Sequence, residues 1–255
     1  MIEFCAGSIP SDDTTKGVLS HFVMEIVRRA RGIFLWVKLV IRDLAKIVLR
    51  RAHLRDTQEL EQELRKTLDA IPDELDDYYQ VIVRRIPPGS RWECYVVLET
   101  LCRSDQDMET KTLLAILKCS SAKSFIDAKH KLNEYPQMPL QGSGLKWAER
   151  YIKTASGGLV EVGGLSEQGE PILQFMHQTV KQFVEGPWFK IQLLGNNLGM
   201  FVTENGYSFI AKYLFVHTVL GSRFVRHARA AEATTGFSQS IMYSTKLNES
   251  REDDA

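Results

Sequence analysis

Six histidines, four cysteines and a few paired acids are the residues of this chain whose types could support chemistry. His21, His53, His130, His177, His217 and His227 are not spaced with cysteines or carboxylates as metal ligands, nor as members of a nucleophile–base pair. For five of them the reading is a surface or satisfied histidine; His177 stands apart for a reason given below. Cys5, Cys94, Cys102 and Cys119 contain no Cys-x-x-Cys pair and no histidine at zinc-finger distance. Cys94 and Cys102 fall in apolar helical stretches and read as reduced, buried small hydrophobes. Asp12-Asp13 and Asp76-Asp77 sit at helix starts or on helix faces, where capping and solvation explain them.

The signatures of the common reaction classes are missing from these residues. There is no Gly-x-x-x-x-Gly-Lys-Ser/Thr phosphate loop, no Gly-x-Ser-x-Gly elbow and no His-Glu-x-x-His site. Gly142-Ser143-Gly144-Leu145-Lys146 is the nearest imitation of a phosphate loop, but its spacing is wrong and no apolar strand precedes it, so it reads as a plain loop. The expectation is a non-enzyme with no catalytic residue, no metal and no cofactor of its own.

The elements that would position these residues read as mostly helical. Leu19, Phe22, Val23, Ile26, Val27 and Ala30 recur at helical spacing, and Gly32 interrupts the pattern. Phe34 to Val48 is apolar nearly all round at its start, which predicts a helix buried among others. Asp56 and Glu59 form a capping signal for a helix carrying Leu60, Leu64, Leu68 and Ile71. Pro72 ends it, and Asp73-Glu74 open a helix that runs to Ile86 and stops at Pro87-Pro88-Gly89. Beyond lie helices near 92–102, 113–117, 124–132 and 145–154. An apolar strand is expected over 159–162, a turn-rich loop over 163–171 and a second strand over 172–176. A helix over 178–184 and another over 209–220 follow. The fold class expected is mainly α: a helical bundle, then a winged-helix domain with a small β-hairpin. The divisions are an extension over 1–17, a helical domain over 18–88, a winged-helix-like domain over 89–190, C-terminal helices over 191–225 and a disordered tail over 226–255.

Charge narrows the partners. The 32 basic and 32 acidic side chains cancel, so no general attraction to nucleic acid or to an anionic membrane is expected. The basic residues of the winged-helix-like part, Lys123, Lys129, Lys131, Lys146, Arg150 and Lys153, are mixed with Asp127, Glu134 and Glu149, which disfavours a DNA-binding module. The most apolar run, Ile33 to Leu49, contains Lys38, Arg42, Asp43 and Lys46, too costly for a bilayer centre. Met1 to Pro10 has no basic n-region and no long apolar stretch, so it is not read as a signal peptide, and the expected location is cytoplasmic.

Four segments resemble one family. Arg29 to Val40, with Ala30, Gly32, Phe34, Leu35 and Trp36, looks like the "A-x-G-x-F-L-W-V-x-L-V" helix of fungal NACHT-type signalling NTPases, the fungal relatives of NOD-like receptors in the STAND class. Leu68 to Tyr79, with Pro72, Leu75 and Tyr79, resembles "L-x-x-L-P-x-E-L-x-x-L-Y". Tyr151 to Val162, with Gly158 and Leu159, resembles "I-x-x-x-C-G-G-L-L-x-V", except that Ser156 stands in place of the usual cysteine. Phe175 to Val184 resembles "F-I-H-Q-T-V-K-x-F-L". The four come in the family's order over roughly residues 18 to 190.

The resemblance implies a regulatory and interaction segment: a helical domain and a winged helix that fold over a nucleotide-binding core and hold its resting, ADP-bound state. Met176-His177 matches the start of the wider class's Met-His-Asp motif, whose histidine reaches the β-phosphate of ADP. His177 is therefore the candidate nucleotide contact, with Gln178 standing where that motif has its acid. ADP or ATP would be bound only together with a NACHT core, whose phosphate loop and Mg²⁺-binding strand have no counterpart in these residues. The partners implied are that core or other proteins. The alternatives are an orphan helical adaptor, exposing the apolar face of its first helices to a partner protein, and, less favoured, a winged-helix DNA binder.

Overall fold

Helical periodicity sets most of the architecture. The computed structural model describes residues 13–51, 57–134, 142–167, 169–195 and 203–220. Cys5, His53, Asp56, Pro136, Pro139, His227 and the tail over 226–255 lie outside the described residues. The chain divides into two compact units, Met1–Val81 and Ile82–Ala255.

In the first unit, α1 spans Asp13–Ala30 and α2 spans Phe34–Arg51. The corner between them is made by Arg31 and Gly32, both left-handed at φ 47 and 84. Glycine takes that conformation without a Cβ clash, and Ile33 N–H closes the turn on the Ala30 carbonyl at 2.7 Å. Helix α3 spans Thr57–Asp69. Phe22, Ile26 and Ala30 of α1, Trp36, Leu39, Val40, Leu44 and Ile47 of α2, and Leu64 and Leu68 of α3 are buried. Each such aliphatic side chain contributes roughly 1.5–3 kcal/mol on burial. The first strongly apolar stretch is not buried all round, however. Phe34 is 87% exposed, and Ile41 and Leu49 are exposed as well. A helix three residues apolar in a row still has one outer side when only two helices cover it.

Helix α4, Leu75–Arg84, runs across the division between the units. The sequence reading put the boundary at Pro87-Pro88-Gly89. There a short 3₁₀ turn, Pro88–Ser90, leads straight into the next helix. The last turn of α4 belongs with the second unit because Ile82 and Ile86 lie against Gly157.

The second unit is built on α5, Arg91–Arg103. Cys94, Tyr95, Val96, Val97, Leu98 and Cys102 are all buried, so this helix is covered on nearly every side. Strand β1, Met108–Glu109, leads into α6, Thr110–Ser120, and α7, Phe125–Glu134. Helix α8, Ser143–Ala155, precedes a hairpin of β2, Val160–Leu165, and β3, Pro171–Phe175. The sheet is antiparallel in the order β1-β3-β2, with Met108 opposite Leu173 and Val160 opposite Phe175. Helices α9, Gln178–Glu185, α10, Trp188–Leu194, and α11, Gly206–Phe215, complete it, and a π turn follows over Val216–Leu220.

Three local readings change. Residues 142–146 are not a plain loop, because α8 begins at Ser143 with Gly142 as its N-cap. Strand β2 continues through Gly163 and Gly164 to Leu165, where a turn was expected; a bulge between Val162 and Gly164 absorbs the extra residue. A Cβ on Gly163 would lie 2.1 Å from the Gln174 side chain, so glycine is what lets the strand continue. Strand β1 was not foreseen at all, since two residues carry no alternation.

Candidate functional site

The motif residues gather at one place in each unit. In the first unit, Trp36 is fully buried and its indole N–H donates to the Pro72 carbonyl at 2.6 Å. Leu68 and Ile71 carbonyls, at the end of α3, accept from the Arg29 guanidinium, which also binds the Asp73 carboxylate at 2.8 Å. The same guanidinium lies over the Trp36 ring, 5.5 Å from its centre. One arginine from α1 thus satisfies the orphan carbonyls that a helix C-terminus leaves. Deeper in the unit the Asp43 carboxylate, almost wholly buried, accepts from Tyr78 Oη at 3.2 Å and pairs with Lys46 at 3.1 Å. Leu75 is half-buried, Tyr79 is buried and Gly32 is exposed. From the sequence, Arg29 reads only as the start of a motif segment and Asp73 only as a helix opener, and neither is assigned this pairing.

Beside this knot, Glu25, Arg28, Arg29, Arg31, Asp69 and Asp73 line an open cleft of about 320 Å³. Three guanidiniums face three carboxylates there, and Arg28 already pairs with Glu25. The cleft has no charge surplus with which to hold an anion.

In the second unit, α8 closes through a glycine pair. Gly157 and Gly158 have φ of 62 and 82, and their N–H groups return to the Thr154 and Lys153 carbonyls at 3.1 and 2.7 Å. This is the Schellman pattern. Ser156, fully buried, accepts from Val160 N–H at 3.2 Å through its hydroxyl and so ties the turn to β2. Leu159 is fully buried, and its carbonyl accepts from Met176 N–H at 3.0 Å, which brings the end of β3 beside the glycine turn.

His177 follows β3 directly and is the N-cap of α9. Its Nδ1 accepts from the Thr179 backbone N–H at 3.3 Å and lies 2.9 Å from Thr179 Oγ1. The ring is exposed. With Nδ1 accepting, a neutral ring carries its proton on Nε2, so that this nitrogen is a donor. The arrangement offers a hydrogen-bond donor at the positive end of a helix. His130 and His217 are exposed too, and His217 packs its ring near Tyr213.

Cys94, Cys102 and Cys119 are free and buried. Burial pushes the Cys119 thiol up to about 11 and the Cys102 thiol up to about 12, and raises Cys94 further. Among the described residues no cluster of histidine, cysteine and acid has the makings of a metal site, and no helix is long and apolar enough to cross a membrane. No family model, no curated protein and no solved structure matches the chain.

Proposed function

We propose that the chain is a non-catalytic regulatory and interaction segment of a fungal NACHT-type STAND NTPase, packing on a nucleotide-binding core and stabilising its resting state. The observation that carries this reading is the placement of His177. It caps a helix straight after a strand, with its ring exposed and Nδ1 engaged, so that Nε2–H is poised to donate to a phosphate oxygen. Two further features support it. The order helix α5, strand β1, helices α6 to α8, then hairpin β2–β3, in a β1-β3-β2 sheet, is compatible with the winged helix that the reading requires. The two helical motif segments are joined through Trp36 and Pro72 rather than lying apart.

The test is release of a fluorescent ADP analogue from a NACHT core supplied in trans. Slower release is expected when this chain is present, and the effect is expected to vanish in His177→Asn, whose side chain still caps α9. The chain alone is expected to give no saturable heat on titration with ADP or ATP. Release that ignores the chain sinks the reading.

A helical adaptor is the second reading, and a specific observation favours it. Val23, Met24 and Val27 of α1 and Phe34 at the start of α2 are exposed apolar side chains within the first unit.

A further inference from the structure

Helix α8 has a face that the sequence concealed. Lys146, Trp147, Arg150, Lys153 and Thr154 are exposed, and Tyr151 is half-buried beside them. At 100° per residue these six fall within one side of the helix, while Ala148, Ile152 and Ala155 point to the opposite, buried side. Glu149, the helix's only acid, is half-buried at the edge of this face, one turn from Lys146 and Lys153. The face itself carries three cations, with the acid at its margin. In its middle, the rings of Trp147 and Tyr151 stack nearly parallel, 5.3 Å apart with 10° between planes, and Trp147 is 46% exposed.

We propose that this face of α8 binds single-stranded nucleic acid. Lys146, Arg150 and Lys153 meet the phosphates, and the Trp147–Tyr151 stack offers a platform for an unpaired base. Two flat rings already aligned by their own helix lose little freedom when a base is added. Charge complementarity selects an anionic partner, and the aromatic stack selects one with a planar ring at each repeat, which polyglutamate or a phospholipid surface lacks. A single strand fits better than a duplex. Only an unpaired base has a free ring face to lay on the stack, since a duplex keeps its bases paired and stacked inside. The proposal revises the expectation that nucleic acid is disfavoured, and it stands independently of the reading of His177.

The test is fluorescence anisotropy of labelled oligothymidine, oligouridine and a duplex with the full chain at about 50 mM salt. Single strands are expected to bind with an affinity that falls as salt rises, and to quench tryptophan emission. Trp147→Ala is expected to weaken binding roughly tenfold or more, and Trp147→Phe far less. The pair Lys146→Glu with Arg150→Glu is expected to abolish it. Unchanged unfolding midpoints certify that these surface variants fold. The proposal is overturned if neither single strand binds, if Trp147→Ala binds as well as the parent, or if polyglutamate or anionic vesicles compete as well as the strands do.

Discussion

The Trp36 indole and the Pro72 carbonyl, 36 positions apart in the chain, share one 2.6 Å hydrogen bond inside the first unit. It joins the two helical motif segments, beside the Arg29 bonds to Leu68, Ile71 and Asp73. Trp36→Phe keeps an aromatic ring but removes the donor, leaving a carbonyl short of its partner. A loss of about 1–3 kcal/mol in unfolding free energy is expected. Trp36→Ala adds a cavity and is expected to cost about 3–5 kcal/mol. Urea unfolding followed by circular dichroism reads both; a Trp36→Phe variant as stable as the parent would show that the hydrogen bond contributes nothing.

The glycines at the two ends of α8 separate backbone strain from crowding. Gly142 and Gly157 both have positive φ, but a Cβ at Gly142 meets open space whereas one at Gly157 would sit 2.8 Å from Ile82 Cγ2. Gly142→Ala should therefore cost about 1–3 kcal/mol, the strain alone. Gly157→Ala should cost clearly more, since Ile82 must also move. Thermal melts of the two variants rank them, and a Gly157→Ala melt no lower than that of Gly142→Ala refutes the close approach.

A pH dependence follows from Glu99. Its carboxylate accepts from Gly206 N–H at 3.2 Å, at the start of α11, and pairs with Arg103 at 3.5 Å. Burial raises its pKa above the ordinary 4.5, with Arg103, the Gly206 N–H and Lys190 pulling the other way. The folded chain therefore holds this proton more tightly than the unfolded chain does. Stability from this group is greatest below 4.5 and is lost as pH climbs through the raised folded value. Glu99→Gln, which keeps an acceptor and cannot ionise, should gain on the parent as pH rises. Urea midpoints across a pH series measure the difference; a gap that is flat or shrinks with pH contradicts it.

Thiol reactivity gives an independent check on α5 and α6. With the Cys119 thiol raised to about 11, about one molecule in a thousand is thiolate at pH 8, and the two thiols of α5 ionise less. In a Cys5→Ser background, a coloured disulfide reagent should find no fast thiol in native protein at pH 8 and three once urea is added. A fast native thiol would mean that one of the helices opens.

Most helices were legible because their apolar side chains repeat at three and four residues, as Phe22, Ile26 and Ala30 do before Gly32. The hairpin was legible too, though its first strand ran longer than expected because Gly163 supports a bulge instead of a turn. What escaped were features decided by tertiary packing. Arg29 is indistinguishable in sequence from its solvated neighbour Arg28, yet it alone reaches the Leu68 and Ile71 carbonyls and the Asp73 carboxylate. The basic face of α8 was hidden for a related reason. Glu149 interrupts the cations along the chain, whereas around the helix it sits at the margin of their face. His177 was found only through resemblance, because a lone histidine between a strand and a helix has no periodicity to announce it.

The reach of Arg29 across to the end of α3 bears on how the molecule can be trimmed. A shortened chain starting at Phe34 retains every residue of α2 and α3. It nevertheless strips the Leu68 and Ile71 carbonyls and the Asp73 carboxylate of the guanidinium they share, and it uncovers one side of Trp36. Fragments designed for crystallisation or domain swaps should keep α1 with the two helices it serves.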